Sequence, residues 1–469
     1  MYFSCCLNRR ELLQVSLGGL AGVASPKMLS AAESGARGEG FAGERSAGFG
    51  RANACILLYM DGGPSQLDLW DLKPAAPAEI RGPWKPIDTT VPGLRIGEHL
   101  PLVARQMHHA TLVRSVCHQE TVHDPAVYQM LTGTKHISSA GGLKVEATDA
   151  PHLGAAFAYA DTVPAVMPKL IQLPETMRMQ DRVLPGQNAG YLGSTFDPFP
   201  IEITRSGQVE RPRLAPQPGL PLPRMAGFSS LVKHLNGSPS RVDATLEIER
   251  FEAFQQQALE ILSRPGIEAA FDLEREDGPT RDRYGRHRHG QSVLLARRMV
   301  EAGARFVTVY WGREPQDWAD GRAPQVANNP WDTHRNHFPL VKDTLCPPAD
   351  RALAALLEDL HLRGLLDETL VVWMGDFGRT PRISRPWGSR DHWPGAFSIL
   401  LAGAGVRRGA IYGQTDQHAA AVTDSPLGPG DLAATIYYSL GLDPAAPIPA
   451  AQGGTRPLSP GRMVSGLLG

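Results

Sequence analysis

Seven consecutive apolar residues, Ala54 to Met60 (ACILLYM), run directly into Asp61, Gly62 and Gly63. A strand that is apolar on both faces has to be covered on both faces. That places it in the middle of a mostly parallel sheet with helices packed on either side. Open α/β sheets collect their ligands at the carboxyl ends of such strands, so Asp61 is a candidate metal ligand. Gly62 and Gly63 permit a tight turn with close backbone approach. Ser65, Asp68 and Asp71 crowd the same turn, where short polar side chains also serve simply to cap the chain.

The pattern recurs along the body. ATLVRSV (110–116) reads as a strand, followed by a loop and a helix in HQETVHDPAVYQMLTG (118–133), with Arg114, His118, His123 and Asp124 at its mouth. PKLIQLP (168–174) reads as a further strand, and GQNAGYLG (186–193) as a glycine-spaced loop. Residues 205–226 read as irregular surface and 243–264 as an amphipathic helix. The C-terminal half alternates most clearly. Helices are expected over 290–303, 348–364 and 431–442, and strands over 304–312 and 367–376, with another strand and a short return in 397–416. Between them lie WDTHRNHF, with Asp332, His334 and His337, then Asp376 at a strand end, then Asp391 and His392 in SRDHWP. Helix–strand alternation with ionisable residues at strand ends predicts a three-layer α/β/α fold with one site at the carboxyl edge.

The N-terminal segment reads as an address. Arg9 and Arg10 precede an apolar, glycine-containing run, Leu12 to Ala24, and then small residues. That order is the logic of a twin-arginine export signal, here over 1–32, with a periplasmic or extracellular destination. The run is too short to span a bilayer. Residues 33–52 read as a linker, and 53–465 as one domain with an irregular insertion around 175–240. A formal net charge of -1 gives no electrostatic footprint for nucleic acid or an anionic membrane. Beyond the leader only Cys55, Cys117 and Cys346 remain, too few and too widely spaced for a disulfide framework or a zinc knuckle.

Carboxylates and imidazoles at several strand ends suit hard or borderline divalent cations. Asp61, Asp332, His334, His337, Asp376 and His392 are the candidate ligands, for one or two ions. Zinc is expected where histidines contribute, and calcium, magnesium or manganese where only carboxylates do. Arg114, Arg379 and Arg390 are candidates to neutralise a bound anion, and the alternative for each is an ordinary ion pair.

The leader, ILLYMDGGPSQLDLWDLKP, EHLP (98–101), HDPAVYQMLTG, GQNAGYLG, WDTHRNHF, ETLVVWMGDFGRTP and SRDHWPGAFSILLAGAG resemble, in matching order, the exported family called domain of unknown function 1501. That family is a distant relative of the alkaline phosphatases and sulfatases. The resemblance implies an alkaline phosphatase-like fold, with metal ligands at Asp61, Asp332, Asp376 and His392. Phe377 departs from it, standing where the relatives carry histidine. So does His123, which falls where sulfatases hold their nucleophilic cysteine, counted back from Gly133. Formylglycine chemistry is therefore not expected. Thr121, His123 and Ser65 are the remaining candidate nucleophiles. Two functions stay open. One is a metal-dependent hydrolase of a phosphate or sulfate ester, phosphate before sulfate, on a small-molecule or glycan substrate. The other is a non-catalytic exported protein that binds a glycan or a partner protein.

Overall fold

Each residue of β1, Ala54–Met60, is buried, and its alternate side chains enter two different cores. Ile56, Leu58 and Met60 belong to one apolar cluster, Cys55, Leu57 and Tyr59 to the other. The computed structural model describes residues 48–469 apart from 166, 180–181, 211–266, 313–329 and 385–387. The expected export signal, most of the linker, most of the irregular stretch at 205–226 and the expected helix at 243–264 lie outside the described residues.

Seven further strands complete the central sheet. They are β2 (Ala110–Val116), β3 (Leu170–Leu173), β4 (Phe199–Pro200), β5 (Phe306–Tyr310), β6 (Thr369–Gly375), β7 (Phe397–Ala402) and β8 (Ala410–Tyr412). Their order is β8-β2-β7-β6-β1-β5-β3-β4. β1 pairs in parallel with β5 and β6, and Tyr59 lies opposite both Tyr310 and Met374. Only β7 is reversed, running antiparallel to β6 and β2. That reversal matters for the site. The chain leaves β6 at its carboxyl end and re-enters the sheet at the same edge, so Asp376 and the start of β7 both lie there.

Helices cover both faces. α1 (His123–Thr132), α2 (Leu153–Ala160) and α5 (Pro429–Ser439) bury Val127, Leu131, Phe157, Leu432 and Ile436 in the cluster of Cys55 and Leu57. α3 (Arg288–Glu301) and α4 (Cys346–Leu362) bury Leu294, Leu295, Leu353 and Leu356 in the opposite cluster. The apolar spacing of these helices dictates which side faces the sheet, and each fully buried aliphatic side chain contributes roughly 1.5–3 kcal/mol. α1 begins with Asp124 in its first turn, where a carboxylate complements the helix dipole, and ends at Gly133 with φ +67°. The result is the three-layer α/β/α architecture with a mostly parallel sheet. Cys55 and Cys346 are buried, Cys117 is half-buried, and all three are free thiols. Among the described residues no helix is long and apolar enough to cross a membrane.

Candidate functional site

Four chain segments meet at the carboxyl edge of the sheet. β1 delivers Asp61, β6 delivers Asp376, the N-terminus of α1 delivers His123, and the 331–334 turn delivers Asp332 and His334. The return toward β7 adds Asp391 and His392, held by a two-residue pairing of Arg379 with His392 and Gly378 with Trp393. One carboxylate sits at the focus. Asp332 Oδ1 is 3.0 Å from His334 Nε2 and 3.1 Å from His392 Nε2, and its Oδ2 is 3.2 Å from His123 Nε2. The two histidine nitrogens of His334 and His392 are themselves 2.8 Å apart. Asp332 also accepts a 2.7 Å hydrogen bond from Arg379.

The far side of each ring is anchored. His123 Nδ1 is 2.5 Å from Asp376 Oδ2, His334 Nδ1 2.8 Å from Asp391 Oδ1, and His392 Nδ1 2.7 Å from the Thr121 carbonyl. Asp376 is fully buried, and its other oxygen accepts the Gly62 N–H at 3.2 Å. His118 donates from Nε2 to the Asp376 carbonyl at 2.6 Å, because its Nδ1 already accepts the Glu120 N–H. Phe377 forms an apolar wall, with its ring centroid 4.8 Å from that of His123 and 4.3 Å from that of His392. Gly63 makes room for it. At φ +85°, a Cβ on Gly63 would stand 2.7 Å from the Phe377 ring.

Burial and charge act against each other here. Burial lowers the His123 pKa, but the Asp376 and Asp332 carboxylates outweigh it and raise it to about 9. Burial favours a neutral Asp332, yet Arg379 and His123 hold it well below the usual carboxylate range. His392 is pushed down, chiefly by burial. Asp61, buried beside Asp376, is raised to about 8, mainly by desolvation.

These residues fit a cation. His123, Asp332 and His392 each offer a ligand atom, and those atoms lie within 4.8 Å of one another. His123 Nε2 is buried with no hydrogen-bond partner. Imidazole nitrogens turned together onto one carboxylate are the donor types that a borderline divalent cation takes.

The family of proteins of unknown function called DUF1501 matches residues 52–468. The chain belongs to that family. No curated protein matches it in sequence. Among solved structures, this DUF1501 protein is similar to the phosphonate monoester hydrolase SpPMH from Silicibacter pomeroyi, with 13% identity over 88% of this chain and 76% of that one and a TM-score of 0.39. It is also similar to Ps i-CgsB (14% identity, 83% and 72% covered, TM-score 0.39). A third is the PsFucS1 sulfatase from Pseudoalteromonas sp. (12%, 85% and 68%, 0.37).

The remaining candidates of the DUF1501 chain are placed elsewhere or differently. His337 is not in the cluster. It is fully buried, with Nε2 2.9 Å from Asp68 and Nδ1 2.6 Å from Thr333 Oγ1. Ser65 donates its hydroxyl to Asp68 at 2.5 Å. Arg390 grips Asp68 through two nitrogens at 2.7 and 3.1 Å and bonds the carbonyls of Ile80, Thr380 and Pro381. Arg379 is equally enclosed, donating to the carbonyls of Gly62, Gly63, Trp331 and Arg390 as well as to Asp332. Arg114 pairs with Asp71 and bonds the Trp70 and Arg95 carbonyls. All three guanidinium groups are thus engaged inside the protein. Asp124 holds Arg182 and the Leu143 N–H. Thr121 is exposed, and it is its carbonyl that meets His392. Asp391 enters the site behind His334, and its place beside His392 in SRDHW is the sequence signal for it. Phe377 was noted only as a departure, and nothing in the sequence marks it as the wall between two histidines.

Proposed function

We propose that this protein is a metal-dependent hydrolase of phosphate esters. The observation that carries the reading is the convergence of His334 Nε2 and His392 Nε2 on Asp332 Oδ1 at 3.0 and 3.1 Å, at the carboxyl edge of a mostly parallel sheet. Asp332, His334 and His392 would hold the ion. A cation bound there supplies a Lewis acid for an ester oxygen and a water of lowered pKa.

The protein's own groups supply the rest. Asp61, raised to about 8 mainly by burial, would be the group to give a proton to a leaving oxygen. Phe377 and the buried turn that follows β1 keep bulk water from the inner side of the site. Ser65 is committed to Asp68 and His123 Nδ1 to Asp376, and His123 Nε2 is a candidate metal ligand, so water is the nucleophile that this arrangement favours, with the exposed Thr121 hydroxyl as the protein alternative. The substrate class is a small-molecule or glycan ester reaching the exposed rim at Thr121 and Asp391. Export through Arg9 and Arg10 fits such a substrate, and replacing both by Lys should hold the precursor in the cytoplasm.

The test is a panel of phosphomonoesters, phosphodiesters and sulfate esters, assayed with added zinc, manganese or calcium. We expect phosphoester turnover that His392→Ala abolishes, and none on sulfate esters. Metal-loaded protein that turns over no ester in the panel would sink the hydrolase and leave the fold as a binding protein.

A further inference from the structure

We propose that His123, His334 and His392, with Asp332, form a three-imidazole, one-carboxylate centre for a borderline divalent cation of the zinc class. Asp376, Asp391 and the Thr121 carbonyl are its positioning groups. This inference rests on the metal-dependent reading above and deepens it, since it names the donor set and therefore the class of ion.

The geometry of the three rings is the same. Each places Nδ1 against an oxygen that can only accept, namely the Asp376 carboxylate (2.5 Å), the Asp391 carboxylate (2.8 Å) or the Thr121 carbonyl (2.7 Å). Each Nδ1 therefore carries a hydrogen, so in the neutral ring, the form a metal binds, Nε2 is the nitrogen that presents its lone pair. All three Nε2 atoms then turn to the same carboxylate, at 3.0, 3.1 and 3.2 Å from Asp332. His334 Nε2 and His392 Nε2 face each other at 2.8 Å, and with both rings neutral and hydrogen on Nδ1 neither has a hydrogen to donate to the other. His123 Nε2 is buried without a hydrogen-bond partner. A cation at His123, Asp332 and His392, whose ligand atoms lie within 4.8 Å of one another, would also meet His334 through its Nε2 beside His392 and Asp332. Imidazole held by an outer acceptor is the usual arrangement around zinc, and three nitrogens with one oxygen suit zinc better than calcium or magnesium.

Asp376 follows the same logic. Its two oxygens are already committed, one to His123 and one to the Gly62 N–H. It therefore orients a ligand. Asp391 differs in being exposed (its side chain is 58% accessible), yet its backbone is pinned to Thr380 by two hydrogen bonds, at 2.8 and 2.9 Å. Its carboxylate is thus delivered to the back of His334 by a fixed segment, and it can be replaced without disturbing the core.

The experiment titrates the full-length, metal-stripped chain with zinc against a chromophoric chelator, with calcium as competitor and cobalt(II) as a spectroscopic probe. Wild type should bind zinc in the presence of excess calcium. His123→Ala should weaken zinc at least about 100-fold and change the cobalt(II) spectrum. Asp391→Ala should weaken it roughly 10–100-fold with the melting temperature of the metal-free protein unchanged. Asp391→Asn, whose carboxamide oxygen can accept the same N–H, should recover most of the affinity. If His123→Ala binds zinc as wild type does, the three-imidazole centre is wrong, while metal binding by Asp332, His334 and His392 stands. An Asp391→Asn variant as weak as Asp391→Ala would make the effect one of charge and overturn the positioning role. Wild type that takes up no zinc would overturn the metal reading and this inference together.

Discussion

Two histidines three residues apart in WDTHRNH end in opposite situations. His337 enters a closed group in which Asp68 takes hydrogen bonds from Arg390 and Ser65, and Thr333 covers the other ring nitrogen. Charges cancel there, and every nitrogen of the ring is occupied. His334 enters a group with surplus lone pairs, where three imidazoles share one carboxylate. The same residue types thus build a structural node in one place and a converging set of donor atoms in the other. What separates them is whether an arginine is bound bidentately to the central carboxylate. Asp68 has one in Arg390, whereas Asp332 receives a single Arg379 nitrogen.

The largest effect should come from breaking the closed group. Asp68→Ala leaves the fully buried Arg390 without its carboxylate, which should cost about 3–5 kcal/mol. Urea unfolding of metal-free protein measures it. His334→Ala, in the open group, should change the same midpoint by less than about 1 kcal/mol. Equal losses from the two variants would erase the distinction.

Acid sharpens it further. His152 and His289 are buried, and desolvation lowers both to about 3. His152 also accepts the Gly154 N–H, which a proton would oppose. The unfolded chain, with histidine near about 6.5, binds more protons between that value and the folded one. Stability is therefore complete above the unfolded value and falls as pH drops below it. The two sites together should cost about 3 kcal/mol between about pH 7.5 and about pH 5.5. Asp68 contributes nothing to this window. Burial would raise it, but Arg390 and His337 hold it below the usual range, so its contribution is lost only at much lower pH. Replacing His152 with Gln should remove about half of this two-site contribution, about 1.4 kcal/mol across the window, relative to the wild-type profile. An unchanged slope would show that other groups carry it.

The smallest effect is expected at the rim. Thr121→Ala keeps the carbonyl that holds His392, so zinc affinity and phosphoester turnover should both stay within about two-fold, a difference of about 0.4 kcal/mol. Loss of turnover with affinity intact would make the Thr121 hydroxyl the nucleophile in place of water.

Much of the fold was legible, for a physical reason. Strands such as ACILLYM and TLVVWM are apolar on both faces, and only a covered, mostly parallel sheet satisfies that. The reversed β7 was not legible, because FSILLA is apolar whichever way it runs. The site was half legible. Asp332, His334 and His392 stand out by type and spacing, and the structure brings them together. His337 carries the same signal and goes elsewhere, since nothing in WDTHRNH reveals that Asp68 waits for it from another turn. Arg379 and Arg390 resembled anion binders because a guanidinium shows its charge in sequence but hides the carbonyls it will meet.

The most direct test is elemental analysis of full-length protein purified without chelators, run beside His392→Ala. The account predicts one divalent transition ion per wild-type chain, zinc in the first instance, and none retained by the variant. Wild-type protein that carries no such ion and gains none when zinc is added would contradict it.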